Sequence, residues 1–152
     1  MRGIALSQTL ITYIDIRFFV HATEDVDKVF EAVRRLFPPN YIDDVVFKKT
    51  SLKGHYGNPI TLFETRIKKK EIIEAVVEAL SSSLSELDKE ALLREIDLHV
   101  KNGSFYIRLD KQAALQGEFK LCSADPIRVH IRFKKRKLED ITKTCKELGI
   151  LL

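Results

Sequence analysis

Apolar and polar residues alternate over 10–20. Ile14, Ile16, Phe18 and Val20 fall on one side and Tyr13, Asp15, Arg17 and Phe19 on the other, which predicts a half-buried β-strand. Thr23 follows as an N-cap, with Glu24 and Asp25 in the first turn, where the helix dipole favours anions. Val26, Val29, Phe30, Val33, Leu36 and Phe37 then recur at helical spacing until Pro38-Pro39-Asn40 stops the helix. A short strand is expected over 45–50. The Gly- and Asn-containing stretch 53–59 reads as a loop, and a strand resumes over 60–67. Ile72, Ile73, Val76, Val77, Leu80 and Leu84 mark an amphipathic helix. A Ser-rich break at 81–85 leads into a further helix carrying Leu87, Ala91, Leu92 and Glu95.

The last third turns to β-structure. Residues 98–101 and 105–109 flank Asn102-Gly103, the dipeptide a tight hairpin turn requires. Residues 119–121 and 127–133 are further strands, and Leu138, Ile141, Cys145 and Leu148 stripe a final helix closed by Gly149. With no internal repeat or linker, 1–152 is read as one domain. Its class is α+β, a largely antiparallel sheet with helices packed on one face.

Composition narrows the class further. At 152 residues and 45% hydrophobic, the chain can bury one sizeable core, and its 32% charged residues solvate the surface without implying disorder. No apolar run is long enough to span a bilayer, and the opening residues lack a secretory pattern, so a cytoplasmic setting without membrane partners is expected. Cys122 and Cys145 are far apart and share no metal-ligand spacing, consistent with two free thiols. A net charge of +4 permits an anionic partner without demanding one.

Where the charge sits is more informative. In 127–133, Ile127, Val129, Ile131 and Phe133 face the core, while Arg128, His130 and Arg132 face away. Lys134, Lys135 and Arg136 extend the basic run. Ser104, Tyr106 and Arg108 form the outward set of the 105–109 strand, and if the strands share a sheet these sets fall on one face. A sheet face mixing such cations with Tyr13, Phe19 and Tyr106 suits single-stranded RNA, whose phosphates need cations and whose unpaired bases stack on aromatic rings. The same alternation occurs on any half-exposed antiparallel strand, basic residues also protect sheet edges, and an aromatic face can serve as a homodimer interface.

Two polar segments add candidates. Lys53, Gly54, His55, Tyr56 and Gly57 form an adaptable loop whose backbone N–H groups can approach a phosphate, although no P-loop lysine follows. Arg108, Lys111 and Gln112 supply two cations and one amide able to read a base edge, with Asp110 as orienting group or helix cap. If the two segments lie side by side, they make one site. Catalysis is not expected, and neither is a cofactor or a dedicated metal site. His21, His55, His99 and His130 are scattered, and nothing in the spacing of Asp15, Asp110 and Asp125 brings them together with His55 as a metal-dependent phosphodiesterase would require.

At Lys53-Gly54-His55-Tyr56-Gly57-Asn58-Pro59-Ile60 and Arg108-Leu109-Asp110-Lys111-Gln112-Ala113-Ala114, the chain resembles an archaeal family of predicted RNA-binding, exosome-associated proteins. Asp125-Pro126-Ile127 and Ala22-Thr23-Glu24-Asp25 match the same pattern. Tyr56 departs from it, standing where many relatives carry a second His. The likeness runs from about the first strand to the basic strand. It implies a fold similar to that of the ribosomal protein that carries the small RNA of the large subunit, RNA as partner, and a place near exosome subunits.

Overall fold

The computed structural model describes residues 10–54 and 56–152, the side chain of Ile42 excepted; His55 therefore lies outside the described residues. The chain runs β1 (Ile11–His21), α1 (Val26–Arg34), a 3-10 turn (Pro39–Asp44), β2 (Lys48–Lys53), β3 (Pro59–Ile67), α2 (Lys70–Ser83), α3 (Glu86–Arg94), α4 (Ile96–His99), β4 (Val100–Lys101), β5 (Ser104–Leu109), α5 (Lys111–Leu115), β6 (Ile127–Phe133) and α6 (Leu138–Glu147). The strands form one antiparallel sheet in the order β2-β3-β1-β6-β5-β4. The class is α+β, as the patterning predicts.

The alternation in β1 and β6 decides which face is buried. Ile14, Ile16 and Phe18 join Phe105, Ile107, Ile127, Val129 and Ile131 in a single core with the apolar stripes of α1, α2 and α6. Phe30 and Phe47 pack against this core and interlock with its Phe18 and Phe63, with ring centres 4.8–5.6 Å apart. Helix packing thus consumes one face of the sheet, and the other presents the polar set.

Several boundaries differ from the sequence expectation. Asp25, not Thr23, caps α1, its carboxylate accepting from the Asp27 N–H. The preceding residues form a tight turn in which Glu24 N–H donates to the His21 carbonyl and the Glu24 carboxylate accepts from the His21 N–H. Leu36 and Phe37 stay buried, but on successive tight turns after the helix has ended. β2 starts at Lys48 because Val45 and Phe47 pack against the core first. α2 continues through Ser81–Ser83, and the break falls at Leu84 and Ser85, whose hydroxyl caps α3. Leu98 and His99 are helical, leaving only two residues for β4 before Asn102 (φ 49°) and Gly103 (φ 88°) turn the hairpin. Residues 119–121 make two isolated bridges rather than a strand, because they bond to β5 only where it gives way to α5.

Candidate nucleic-acid interface

Register sorts the open face into rows of side chains lying across the strands. One row runs Lys48, Glu64, Arg17, Arg128, Arg108 over β2, β3, β1, β6 and β5. The next runs Arg66, Asp15, His130, Tyr106, and a third Tyr13, Arg132, Ser104.

The middle row is internally satisfied. Arg66 donates to both Asp15 carboxylate oxygens at 2.8 and 3.0 Å, which raises its pKa, and its guanidinium carbon lies 3.9 Å from the centre of the Tyr13 ring. Asp15 is also 3.5 Å from His130 Nδ1. His130 Nε2 is 2.8 Å from Ser104 Oγ, and its ring stacks on Tyr106 at 4.6 Å. Burial pushes the His130 pKa below its ordinary value against the pull of Asp15, and Arg128 adds to the lowering, so the imidazole is neutral at pH 7.

The first row is not satisfied. Among the described residues Arg17, Arg108 and Arg128 form no ion pair, although Glu64 shares their row. Arg128 Nε is buried without a hydrogen-bond partner among the described residues, and burial and the neighbouring Arg17 lower its pKa. The guanidinium carbons of Arg128 and Arg108 lie 5.4 and 5.6 Å from the Tyr106 ring centre, and that of Arg17 lies 6.0 Å from Phe19. Three partly desolvated like charges repel one another, and an anion laid across them relieves that cost.

Other predicted residues flank this row. Arg132 Nη1 donates to the Asn102 carbonyl at 2.7 Å and to Ser104 Oγ at 3.1 Å, which ties the guanidinium to the hairpin while leaving its remaining N–H groups available. Lys134, Lys135 and Arg136 are exposed beyond the end of β6.

The two motif segments come to the same end of the sheet, where β1, β2 and β5 finish and β3 and β6 begin. The exit from β1 stands between them. Gly54, Tyr56 and Asn58 border a hollow of about 350 Å³ whose other wall is 21–23. Within the loop, the Gly54 N–H donates to the Asn58 carbonyl, and Gly57 takes φ +79°. Tyr56 is 87% exposed, and Lys53 and Gln112 are also exposed. On the far side, Lys111 is only 8% exposed. Its ammonium donates to the Phe19 carbonyl at 2.5 Å, to Glu24 at 3.1 Å and to Asp125 at 2.9 Å. His21 Nε2 is 3.1 Å from the same Asp125 oxygen. His21, Glu24 and Asp125 have the donor types of a metal site, but the Lys111 ammonium already supplies a cation to both carboxylates. Asp15, Asp110 and Asp125 do not act together: Asp15 pairs with Arg66, Asp110 caps α5, and Asp125 bonds Lys111.

Arg17 and Arg66 belong to the open face without standing among the binding residues singled out from the sequence. Alternation assigns Arg17 to the outward side of β1; what it lacks is the strand order that sets this residue beside Arg128. Arg66 has no such signal, because the Thr- and Glu-containing pattern of β3 leaves its polar face ambiguous.

A family model described as RNA binding matches residues 13–133. RNA-binding protein PAB1135 of Pyrococcus abyssi is 38% identical over 140 residues, covering 88% of this chain and 90% of that protein. The uncharacterized protein MJ0213 of Methanocaldococcus jannaschii is 31% identical over 150 residues, covering 92% and 99%. Among solved structures, protein AF2318 from Archaeglobus fulgidus is similar with a TM-score of 0.76 and 32% identity over 91% of this chain and 99% of that one. Mth689, a DUF54 protein from Methanothermobacter thermautotrophicus, is similar with a TM-score of 0.72 and 27% identity over 89% and 98%.

Proposed function

Because the chain belongs to the family whose model is described as RNA binding, we propose that it binds RNA through the open face of its sheet, as a binding protein without covalent chemistry of its own. The observation that carries this reading is the row Arg17, Arg128, Arg108: three neighbouring guanidiniums with no acidic partner among the described residues, beside the Tyr106–His130 stack. Phosphate contacts supply affinity, and the adjoining rings offer surface to unpaired bases. Arg132 and the exposed Lys134, Lys135 and Arg136 extend the cationic track from one end of β6. Lys53, Gly54, Tyr56, Gly57 and Gln112 border its other end, where Lys111 fixes the β1 exit.

The finer form of the proposal is an accessory role at the archaeal exosome on a scaffold like that of the ribosomal protein bearing the small RNA. Its support is the motif resemblance. Co-sedimentation with a reconstituted archaeal exosome tests it, and a monomer mass in the RNA complex excludes the homodimer alternative for this face. No helix among the described residues is long and apolar enough to cross a membrane.

The direct test is binding of a fluorescent single-stranded RNA by the protein and by an Arg17→Ala, Arg108→Ala double variant. Affinity should fall at least tenfold with the melting temperature unchanged. An unchanged affinity would remove the open face as the RNA surface.

A further inference from the structure

We propose that the hollow between Lys48, Glu64, Arg17 and Arg128 on the open face is a nucleobase site that selects guanine. The inference rests on the RNA-binding reading and narrows it to a base preference. The hollow holds about 290 Å³, and Asp15 and Arg66 line it as well. Glu64 sets its chemistry. This residue is half-buried and stands in register with Arg17 on β1 and Lys48 on β2. Among the described residues it nevertheless forms no ion pair and no hydrogen bond. Asp15, the other carboxylate of the hollow, is already taken up by Arg66. An unpaired carboxylate repels phosphate, so this end of the hollow suits a neutral group that brings donors.

The bases differ in what they offer a carboxylate. Guanine presents N1–H and N2–H side by side, one for each carboxylate oxygen. Adenine and cytosine offer one amino group beside a ring nitrogen that accepts. Uracil offers one N–H between two carbonyls. Each of these three sets an acceptor against the second carboxylate oxygen. Guanine O6 lies next to N1 and needs a donor in turn. Lys48, exposed and directly across the β2–β3 ladder from Glu64, is placed to supply it. The Arg66 guanidinium is fixed by its two bonds to Asp15 and offers a plane on which a base stacks. Arg128 stands two strands from Glu64 at the same level of the sheet, roughly 10 Å away. Arg17 and Arg128 thus line the side of the hollow left for the phosphate of the same nucleotide.

The test uses an unpaired oligouridine carrying one central guanosine, inosine, adenosine or cytidine, with plain oligouridine as reference. Fluorescence anisotropy is read against the full chain. The guanosine form should bind at least about fivefold more tightly than the other four, inosine included because it lacks the 2-amino group. Glu64→Gln should erase that advantage without weakening the binding of plain oligouridine, since only a negative charge is lost from the face. The inosine comparison needs no variant, which covers the case of an unfolded Glu64→Gln protein. A guanosine advantage below fivefold, equal binding of inosine, or an advantage that survives Glu64→Gln overturns the assignment while leaving RNA binding in place. Failure to bind any of the five RNAs overturns both readings.

Discussion

The Lys111 ammonium reaches three segments at once: the end of β1 through the Phe19 carbonyl, the turn before α1 through Glu24, and the residues before β6 through Asp125. Its donors are spent on the protein, so its first effect is to fix that end of the sheet. Replacing it by Met leaves the Glu24 and Asp125 carboxylates facing each other without their cation. Both carboxylates are partly exposed, so the loss should be about 2–3 kcal/mol, below that of a fully buried pair. Urea unfolding of Lys111→Met should show this decrease, while RNA affinity per folded molecule stays unchanged. Loss of affinity at full stability would make Lys111 a direct contact. His130 gives a pH dependence of definite sign. Its folded pKa lies below the ordinary 6.5, lowered chiefly by burial, and that of His99 is lowered the same way. As the pH falls through about 6.5 the unfolded chain takes up protons before the folded one does, so stability decreases on the acid side. Urea midpoints should fall between pH 7 and pH 5, and less steeply in a His99→Gln, His130→Gln variant. An equal slope in that variant would assign the dependence to other groups.

At the scale of elements, what could be read from the sequence follows the strength of its periodicity. β1 from Ile14 onward and β6 alternate in sequence without a break, so their buried and open faces are readable residue by residue; only the start of β1, between Ile11 and Tyr13, slips in register. Asn102-Gly103 could be identified for an equally local reason, since both residues need positive φ. Where long-range packing sets the boundary, the pattern runs out. Residues 119–121 look like a strand because Phe119 and Leu121 are apolar, yet they bridge to Leu84 and Leu109 separately. Thr23 has the chemistry of a cap, but it lies inside the turn closed by the Glu24 N–H on the His21 carbonyl, and the helix begins only after Asp25, two residues later. The arginine row had the same obstacle: each member could be placed on a face, but their meeting depends on strand order. The hairpin also allows a test of its geometry. At Gly103, φ is +88°, and a Cβ would stand 3.1 Å from the Lys135 carbonyl oxygen. Gly103→Ala should therefore lose about 1–2 kcal/mol, a fall of about 2–8 °C in melting temperature. Gly57 has φ +79° but open space around it. Gly57→Ala should lose only the backbone part, about 1 kcal/mol. Equal losses would show that the Lys135 contact adjusts freely.

Across the whole molecule the charge is divided unevenly. The chain has 26 Lys and Arg against 22 Asp and Glu. Register places Arg17, Lys48, Arg66, Lys101, Arg108, Arg128 and Arg132 on the open face with only Asp15 and Glu64, which leaves 19 basic and 20 acidic residues elsewhere. The net positive charge thus belongs to the side that the helices leave uncovered, and binding there should release counterions. For a single strand, the slope of log affinity against log salt changes by about 0.7 for each phosphate contact. Arg17→Ala should therefore make the slope shallower by about that amount and weaken binding similarly across RNA sequences. Arg66 is the internal control. It lies on the same face with the same formal charge, but Asp15 neutralises it and Tyr13 stacks against it. Arg66→Ala should leave the slope nearly unchanged, because no counterion is displaced from a guanidinium already paired. If both substitutions flatten the slope equally, the RNA responds to the general charge of the molecule and not to the unpaired row. If neither does, the phosphates lie elsewhere.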